Sequence, residues 1–138
     1  MRFLPIALAM AALASPASAE TISVALQGVK KNSGSIVVCL WDKDADFPNC
    51  EEGQPVKRIV LPATAKSATF EDVANGTYAV SAFHDANANG RLDTNFLGLP
   101  KEAVGLSNNP RLMGPPRFKS ALFDVAGETA IVLKFQGM

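Results

Sequence analysis

GTYAVSAFHDANANGRLDTN, residues 76–95, is the stretch that decides the fold class. Its first half alternates between two faces with the period of two that marks a β-strand. One face holds Tyr78, Val80, Ala82 and His84, and the other holds Ala79, Ser81 and Phe83. The Asn75-Gly76 pair before it tolerates positive φ and predicts a tight turn. We therefore expect residues 76–83 to form a core strand that runs directly into an oxygen-rich loop.

Six further segments have the alternation or the β-branched, apolar content of short strands. They are residues 22–26, 35–41, 56–61, 67–70, 121–125 and 129–135. We expect residues 35–41 to form a hairpin with residues 22–26. No segment of the mature chain has a convincing helical period. The pattern predicts an all-β domain, a seven-stranded antiparallel Greek-key β-sandwich, with a closed barrel as the alternative.

The first 19 residues have the pattern of a secretory signal peptide. Arg2 supplies positive charge, residues 3–13 are an apolar run too short to span a bilayer, and Ala17-Ser18-Ala19 is a small-residue cleavage site. An N-terminal strand or membrane anchor is the alternative. We expect export to the periplasm or beyond, and a single domain over residues 20–138 with no transmembrane segment.

The charge balance narrows the class of partner. The chain has 13 basic and 13 acidic residues, and cleavage would remove only the basic Arg2, which leaves one acidic residue in excess. Overall charge therefore does not favour nucleic acid or an anionic membrane. An envelope protein or a small ligand is the expected partner class.

Cys39 and Cys50 are the two cysteines of the chain. An even number of cysteines in an exported protein predicts a disulfide. Two free thiols are the alternative. A metal-binding pair is less favoured, because no further soft ligand lies near either cysteine in the sequence.

The loop after the strand has the donor spacing of a calcium site. Oxygen-bearing side chains stand at loop positions 1, 3, 5 and 9, which are Asp85, Asn87, Asn89 and Asp93. Gly90 permits the sharp turn between them, and the backbone carbonyl of Arg91 can also point inward. Oxygen donors on a flexible loop favour Ca²⁺ over Mg²⁺. The alternative is a solvated turn, since turns use Asn, Asp and Gly for their own hydrogen bonds.

The loop lacks the acidic residue that would complete an EF-hand site, because position 12 is Phe96. A remote carboxylate would have to supply the missing charge. The candidates in the sequence are Glu102, Asp72, Asp42, Asp44 and Asp46.

A segment rich in glycine, proline and apolar residues, 96–118, follows without a clear strand. A loop of this length in a small domain is usually functional, and we expect it to pack over one end of the sheets. One interpretation is a binding site for a small anionic or carbohydrate ligand, formed by Ser107, Asn108, Asn109, Arg111 and Arg117. The other is a lid with its arginines in solvent. A pocket floored by residues 107–109 and rimmed by the arginines would favour binding.

The sequence offers no convincing set of catalytic residues. His84 is the only histidine, and its neighbour Asp85 would point to the opposite face of a strand. No serine stands in a nucleophile elbow. We expect His84 to be a hydrogen-bonded structural residue, with a general base as the alternative.

Long motifs of the chain resemble one protein family. They are Phe70-x-Asp72-x-x-x-Gly76-Thr77-Tyr78, Phe83-His84-Asp85-x-Asn87-x-Asn89-Gly90-x-Leu92-Asp93, Gly98-x-Pro100-x-Glu102, Gly105-x-Ser107-Asn108-Asn109 and Gly114-Pro115-Pro116-x-Phe118. These motifs resemble the DUF2141 family of exported bacterial proteins, and the first also resembles transthyretin-like Greek-key domains. The resemblance implies an exported β-sandwich with no assigned activity. We expect a calcium-stabilised, non-catalytic domain of the cell envelope, with a periplasmic binding module as the alternative.

Overall fold

The computed structural model describes residues 19–50, 53–86 and 102–137. These residues contain eight strands and one short helix. They are β1 (Ala19–Gln27), β2 (Ser35–Trp41), β3 (Lys57–Pro62), β4 (Ser67–Ala74), β5 (Gly76–Asp85), β6 (Val104–Leu106), α1 (Phe118–Ala121), β7 (Phe123–Val125) and β8 (Thr129–Lys134). The all-β prediction is confirmed. The cleavage site and the rest of the predicted signal peptide lie outside the described residues, except for Ala19, which begins β1.

The strands form two sheets. One sheet has three strands in the order β4-β1-β8, and the other has the order β3-β2-β5-β6, with β7 paired to the first residues of β5. The pair β1–β8 is parallel, so the expectation of a wholly antiparallel domain is wrong at that pair.

The predicted hairpin between β1 and β2 is also wrong. Strand β1 pairs with β4 and β8, whereas β2 pairs with β3 and β5 in the other sheet. The physical reason lies in the connection, which spans residues 28–34 and has positive φ at both Gly28 and Gly34. A connection of this length can carry the chain from one sheet to the other, while a two-residue turn would have kept the strands adjacent.

The larger hydrophobic cluster takes side chains from both sheets. It contains Ile22 and Val24 of β1, Ile36, Val38 and Leu40 of β2, Phe70 of β4, Tyr78, Val80 and Ala82 of β5, and Leu133 of β8. Each large apolar side chain buried in this way contributes about 1.5–3 kcal/mol relative to an exposed position. The face predicted for Tyr78, Val80 and Ala82 is therefore the face toward this core.

A second cluster, which we call the outer core, covers the other face of the five-stranded sheet. It contains Val37, Cys39, Trp41, Cys50, Ala79, Phe83, Val104, Leu106 and Ala121. Phe47, Leu112 and Phe118 pack against it from the loops. Strands β2 and β5 are consequently buried on both faces, which accounts for their nearly continuous apolar sequences.

The segment 102–118 differs from its prediction in two ways. It contains β6, a strand of three residues that is too short to produce a sequence period. Its side chains at Leu112 and Phe118 pack on the outer core instead of at one end of the sheets. The predicted strand 121–125 begins later than expected, because α1 occupies residues through Ala121 before β7 starts.

Cys39 and Cys50 form the predicted disulfide, with their Cα atoms 6.1 Å apart. The bond fastens the loop after β2 to the outer core. The Trp41 indole donates a hydrogen bond of 2.8 Å to the Ser81 hydroxyl beneath this loop. Phe47 lies edge-on to Trp41 at 5.8 Å and to Phe118 at 5.5 Å, so the two segments that cover this face also contact each other.

Loss of the disulfide is expected to lower the free energy of unfolding by about 2–3 kcal/mol, because it closes a short loop in the unfolded chain. Equilibrium urea denaturation with and without dithiothreitol measures this difference. The Cys39→Ala/Cys50→Ala variant is the control and should show no response to the reductant. An unchanged urea midpoint for the reduced wild-type protein would contradict the stabilising role.

Candidate functional site

The buried end of β5 begins the predicted calcium loop. Asp85 pairs with Ser35 of β2, and its side chain is only 2% exposed. The turn before β2 packs directly against it, because a Cβ atom on Gly34 would clash with the backbone oxygen of Asp85. With a φ of +77° as well, this position requires glycine. The backbone around Asp85 is therefore held by close packing on one side.

His84 takes part in the same contact between the turn and the strand. Its Nε2 lies 2.7 Å from the backbone oxygen of Ser33, and its side chain is 5% exposed. Since a carbonyl oxygen can only accept, Nε2 carries the proton in this contact. The backbone N–H of His84 donates to the Ala103 oxygen at 2.9 Å. His84 is therefore hydrogen-bonded through both its side chain and its backbone.

Glu102 lies at the same end of the sheet as Asp85. Its Oε2 accepts a 3.0 Å hydrogen bond from the backbone N–H of Ala86. The carboxylates of Asp85 and Glu102 therefore stand where the chain enters and leaves the segment 87–101. The other predicted loop ligands, Asn87, Asn89, Arg91 and Asp93, lie outside the described residues.

The four other acids considered as remote ligands lie elsewhere. Asp42, Asp44 and Asp46 follow Trp41, which pairs with Ala79 near the opposite end of β5, about 20 Å of strand away from Asp85. Asp72 lines a groove with Lys57 and Arg58 near the start of β3. Of the five, Glu102 is thus the one that contacts the backbone directly after Asp85 in the described residues.

A cavity of about 210 Å³ opens beside Glu102. Lys30, Lys31 and His84 are among its lining residues. The lysines supply positive charge next to the glutamate, so they compete with a cation for it. Within residues 19–50, 53–86 and 102–137 there is no group of three or more His, Cys, Asp or Glu side chains placed to hold a metal ion.

Ser107 fills a gap in the hydrogen bonding of β5. Strand β6 pairs with residues 81–83 of β5 and β7 pairs with residues 76–78, which leaves Val80 between them. The Ser107 hydroxyl accepts from the Val80 N–H at 2.9 Å and donates to the Ala121 oxygen. The Ser107 N–H donates to the Val80 oxygen at 3.0 Å. A fully buried serine thereby joins β5 to the helix that follows the long segment.

The next two side chains also bond to the backbone. The amide of Asn108 donates to the Leu122 oxygen at 2.7 Å and the Ser120 oxygen at 3.3 Å. The amide of Asn109 donates to the Val132 oxygen at 2.9 Å and accepts from the Lys134 N–H at 2.8 Å. Both residues have positive φ, which asparagine tolerates better than most side chains do. Residues 107–109 therefore connect the long segment to α1 and β8.

Arg111 and Arg117 lie in a different environment from residues 107–109. Both are exposed and line a cleft of about 350 Å³. Pro110, Leu112, Met113 and Ser120 also contribute to its walls. The structure therefore divides the predicted ligand set: the arginines share a cleft, whereas residues 107–109 do not line it.

The described residues define an all-β domain of two sheets with an internal disulfide and a buried carboxylate at the start of an oxygen-rich loop. The chain belongs to the family described as uncharacterized protein conserved in bacteria (DUF2141), whose model matches residues 24–132. The matched range runs from β1 to β8. No curated protein and no solved structure matches the chain. Among the described residues, no helix is long and apolar enough to cross a bilayer.

Ser107→Ala is expected to lower the free energy of unfolding by about 1–3 kcal/mol, because it leaves buried backbone groups of Val80 and Ala121 without the hydroxyl. Urea denaturation of the variant measures the loss. Ser67→Ala is the matched control at an exposed position of β4 and should lie within about 0.5 kcal/mol of wild type. Equal effects of the two substitutions would contradict the role given to Ser107.

Proposed function

We propose that this protein is an exported, calcium-stabilised domain of the bacterial cell envelope with a structural or accessory role and no catalytic one. The observation that carries the proposal is the placement of Glu102 on the backbone of Ala86, beside the buried Asp85. Glu102, one of the candidates for the remote carboxylate, therefore lies next to the residue that follows Asp85. The engagement of His84 by Ser33 supports a structural use of the single histidine.

The chemistry of the donor set supports calcium. Ca²⁺ takes 6–8 oxygen ligands in a flexible arrangement. Asp85, Asp93 and Glu102 would contribute three carboxylates, and Asn87 and Asn89 would add neutral oxygens. Glu102, which follows the loop in sequence, would replace the acidic ligand of position 12, where this chain has Phe96.

The proposed role of the ion is structural. The ion would fasten residues 87–101 between Asp85 and Glu102. The chain from Glu102 leads at once into β6 and then into the segment that covers the outer core. Binding at the loop would therefore hold the chain where it enters β6.

Export and the finer architecture are part of the same proposal. The disulfide supports an oxidising compartment such as the periplasm. The signal-peptide pattern of residues 1–19 supports the same destination. The cluster shared by the two sheets supports their packing as a β-sandwich, and the sheet-to-sheet connection from β1 to β2 is compatible with a Greek-key order.

Calcium is expected to raise the melting temperature of the mature protein. At a free concentration of about 100 times Kd the gain is about 2.7 kcal/mol, or about 10 °C for a domain of this size. Differential scanning fluorimetry with Ca²⁺, with Mg²⁺ and with EDTA measures the shift, and calorimetric titration gives the affinity. Mg²⁺ should give the smaller shift, because it demands a more rigid octahedral site.

Asp85→Asn and Glu102→Gln are expected to remove most of the calcium-dependent shift. Asp44→Asn is the matched control at an exposed position near the other end of β5, and it should keep the full shift. Absence of heat and of any shift at millimolar Ca²⁺ would refute the proposal. A loss of stability in Glu102→Gln that is equal with Ca²⁺ and with EDTA would show that Glu102 acts through its contacts within the protein and not through calcium.

A further inference from the structure

The segment that covers the outer core carries basic residues and no acidic ones. Between Ala103 and Phe123 the sequence contains no Asp or Glu, and its basic residues are Arg111, Arg117 and Lys119. The complete chain has equal numbers of acidic and basic residues. The segment is therefore a local excess of positive charge on a protein whose overall charge would not attract anions.

The side chains of the two arginines in this segment are open to an external partner. Neither makes a hydrogen bond or an ion pair within the described ranges, although both line the 350 Å³ cleft. Arginine presents a planar fork of donors that matches a carboxylate or a phosphate. Two such forks on one cleft form a site for an anionic group.

Apart from Ser120 and Gly114, the other residues of the cleft wall are apolar. Pro110, Leu112, Met113 and Pro115 line it beside the arginines. Met113 is 88% exposed, the largest exposure among the large apolar residues of the described chain. Methionine adapts its shape to varied apolar partners, and exposed methionines are common on binding surfaces. The wall therefore provides contact for an apolar body attached to the anionic group.

Hydrogen bonds hold the backbone of the cleft at Pro110 and Leu112, so this part of the site is formed before a ligand arrives. The Gln136 amide donates to the Pro110 oxygen at 2.8 Å, and its carbonyl oxygen accepts from the Leu112 N–H at 3.4 Å. Asn109 and Asn108 fix the preceding residues to β8 and to the region of α1. A preformed cleft of this volume lies within the range that binds small molecules.

We infer that the cleft binds a small amphiphilic carboxylate, with Arg111 and Arg117 holding the carboxylate and Leu112 and Met113 contacting the apolar body. The inference narrows the anionic or carbohydrate class expected from the sequence to organic acids. It also excludes Ser107, Asn108 and Asn109 from the residues that contact the ligand. It does not depend on calcium, because every residue of the cleft lies outside the proposed ion loop.

Octanoate is the probe, and chemical-shift titration of the ¹⁵N-labelled mature protein is the measurement. We expect saturable shifts at residues 110–120 that are the same with Ca²⁺ and with EDTA. Acetate tests the charge alone, and 1-octanol, which is uncharged, tests the chain alone. Both should bind at least about tenfold more weakly, since each lacks one half of the contact.

Arg111→Ala and Arg117→Ala are each expected to weaken octanoate binding about tenfold or more. Met113→Ala should weaken octanoate a few-fold and leave acetate unchanged. Lys119→Ala is the matched control, because it removes a nearby charge that does not line the cleft. The melting temperature of each variant should equal that of wild type, since these side chains are exposed.

Three results would overturn the inference. Absence of saturable shifts with octanoate would show that the cleft is not a site for this class. An equal loss in Lys119→Ala would show a diffuse positive patch. Cosedimentation with phosphatidylglycerol vesicles without octanoate binding would assign the arginines to a membrane surface.

Discussion

The constraint on which the structure depends is that the five-stranded sheet must be covered on both faces. Strands β2 and β5 place apolar side chains at consecutive positions, so neither face can be left to water. The three-stranded sheet shares a core with one face, and two loop segments cover the other. The disulfide, the Trp41–Ser81 hydrogen bond and the bonds of Ser107 all serve this second covering. The cleft that Arg111 and Arg117 line thus belongs to one of the two segments that complete the outer core.

The sequence predicted the positions of the strands better than which strands pair with each other. The bounds of β2 were predicted without error, because a short, continuous apolar run between turn residues is typical of a strand buried on both faces. Strand β6 was missed, because three residues cannot display a period. The partner of β1 was also missed, since a strand's alternation fixes which face is buried and not which neighbour supplies the hydrogen bonds. Such choices depend on contacts between distant parts of the chain.

The sequence predicted which chemical groups the candidate sites contain, but not how these groups are arranged in space. The donor spacing from Asp85 to Asp93 was visible in the sequence, but only the fold distinguishes Glu102 from the four other acids. Ser107, Asn108 and Asn109 resembled ligand contacts because binding a ligand and bonding to a backbone require the same donors and acceptors. A buried gap beside Val80, which only the three-dimensional structure reveals, determines that Ser107 bonds inward.

The side chain of Asn109 has a consequence for how copies of this protein meet at high concentration. Its side-chain amide bonds to the backbone oxygen of Val132 and to the backbone N–H of Lys134. Both groups lie on the edge of β8 that faces away from β1. An added strand from another molecule would need those same two backbone groups, and unprotected edges of this kind promote aggregation. One loop residue thus imitates a neighbouring strand. It takes up hydrogen bonds that would otherwise extend the sheet, and it does so beside the exposed charge of Lys134.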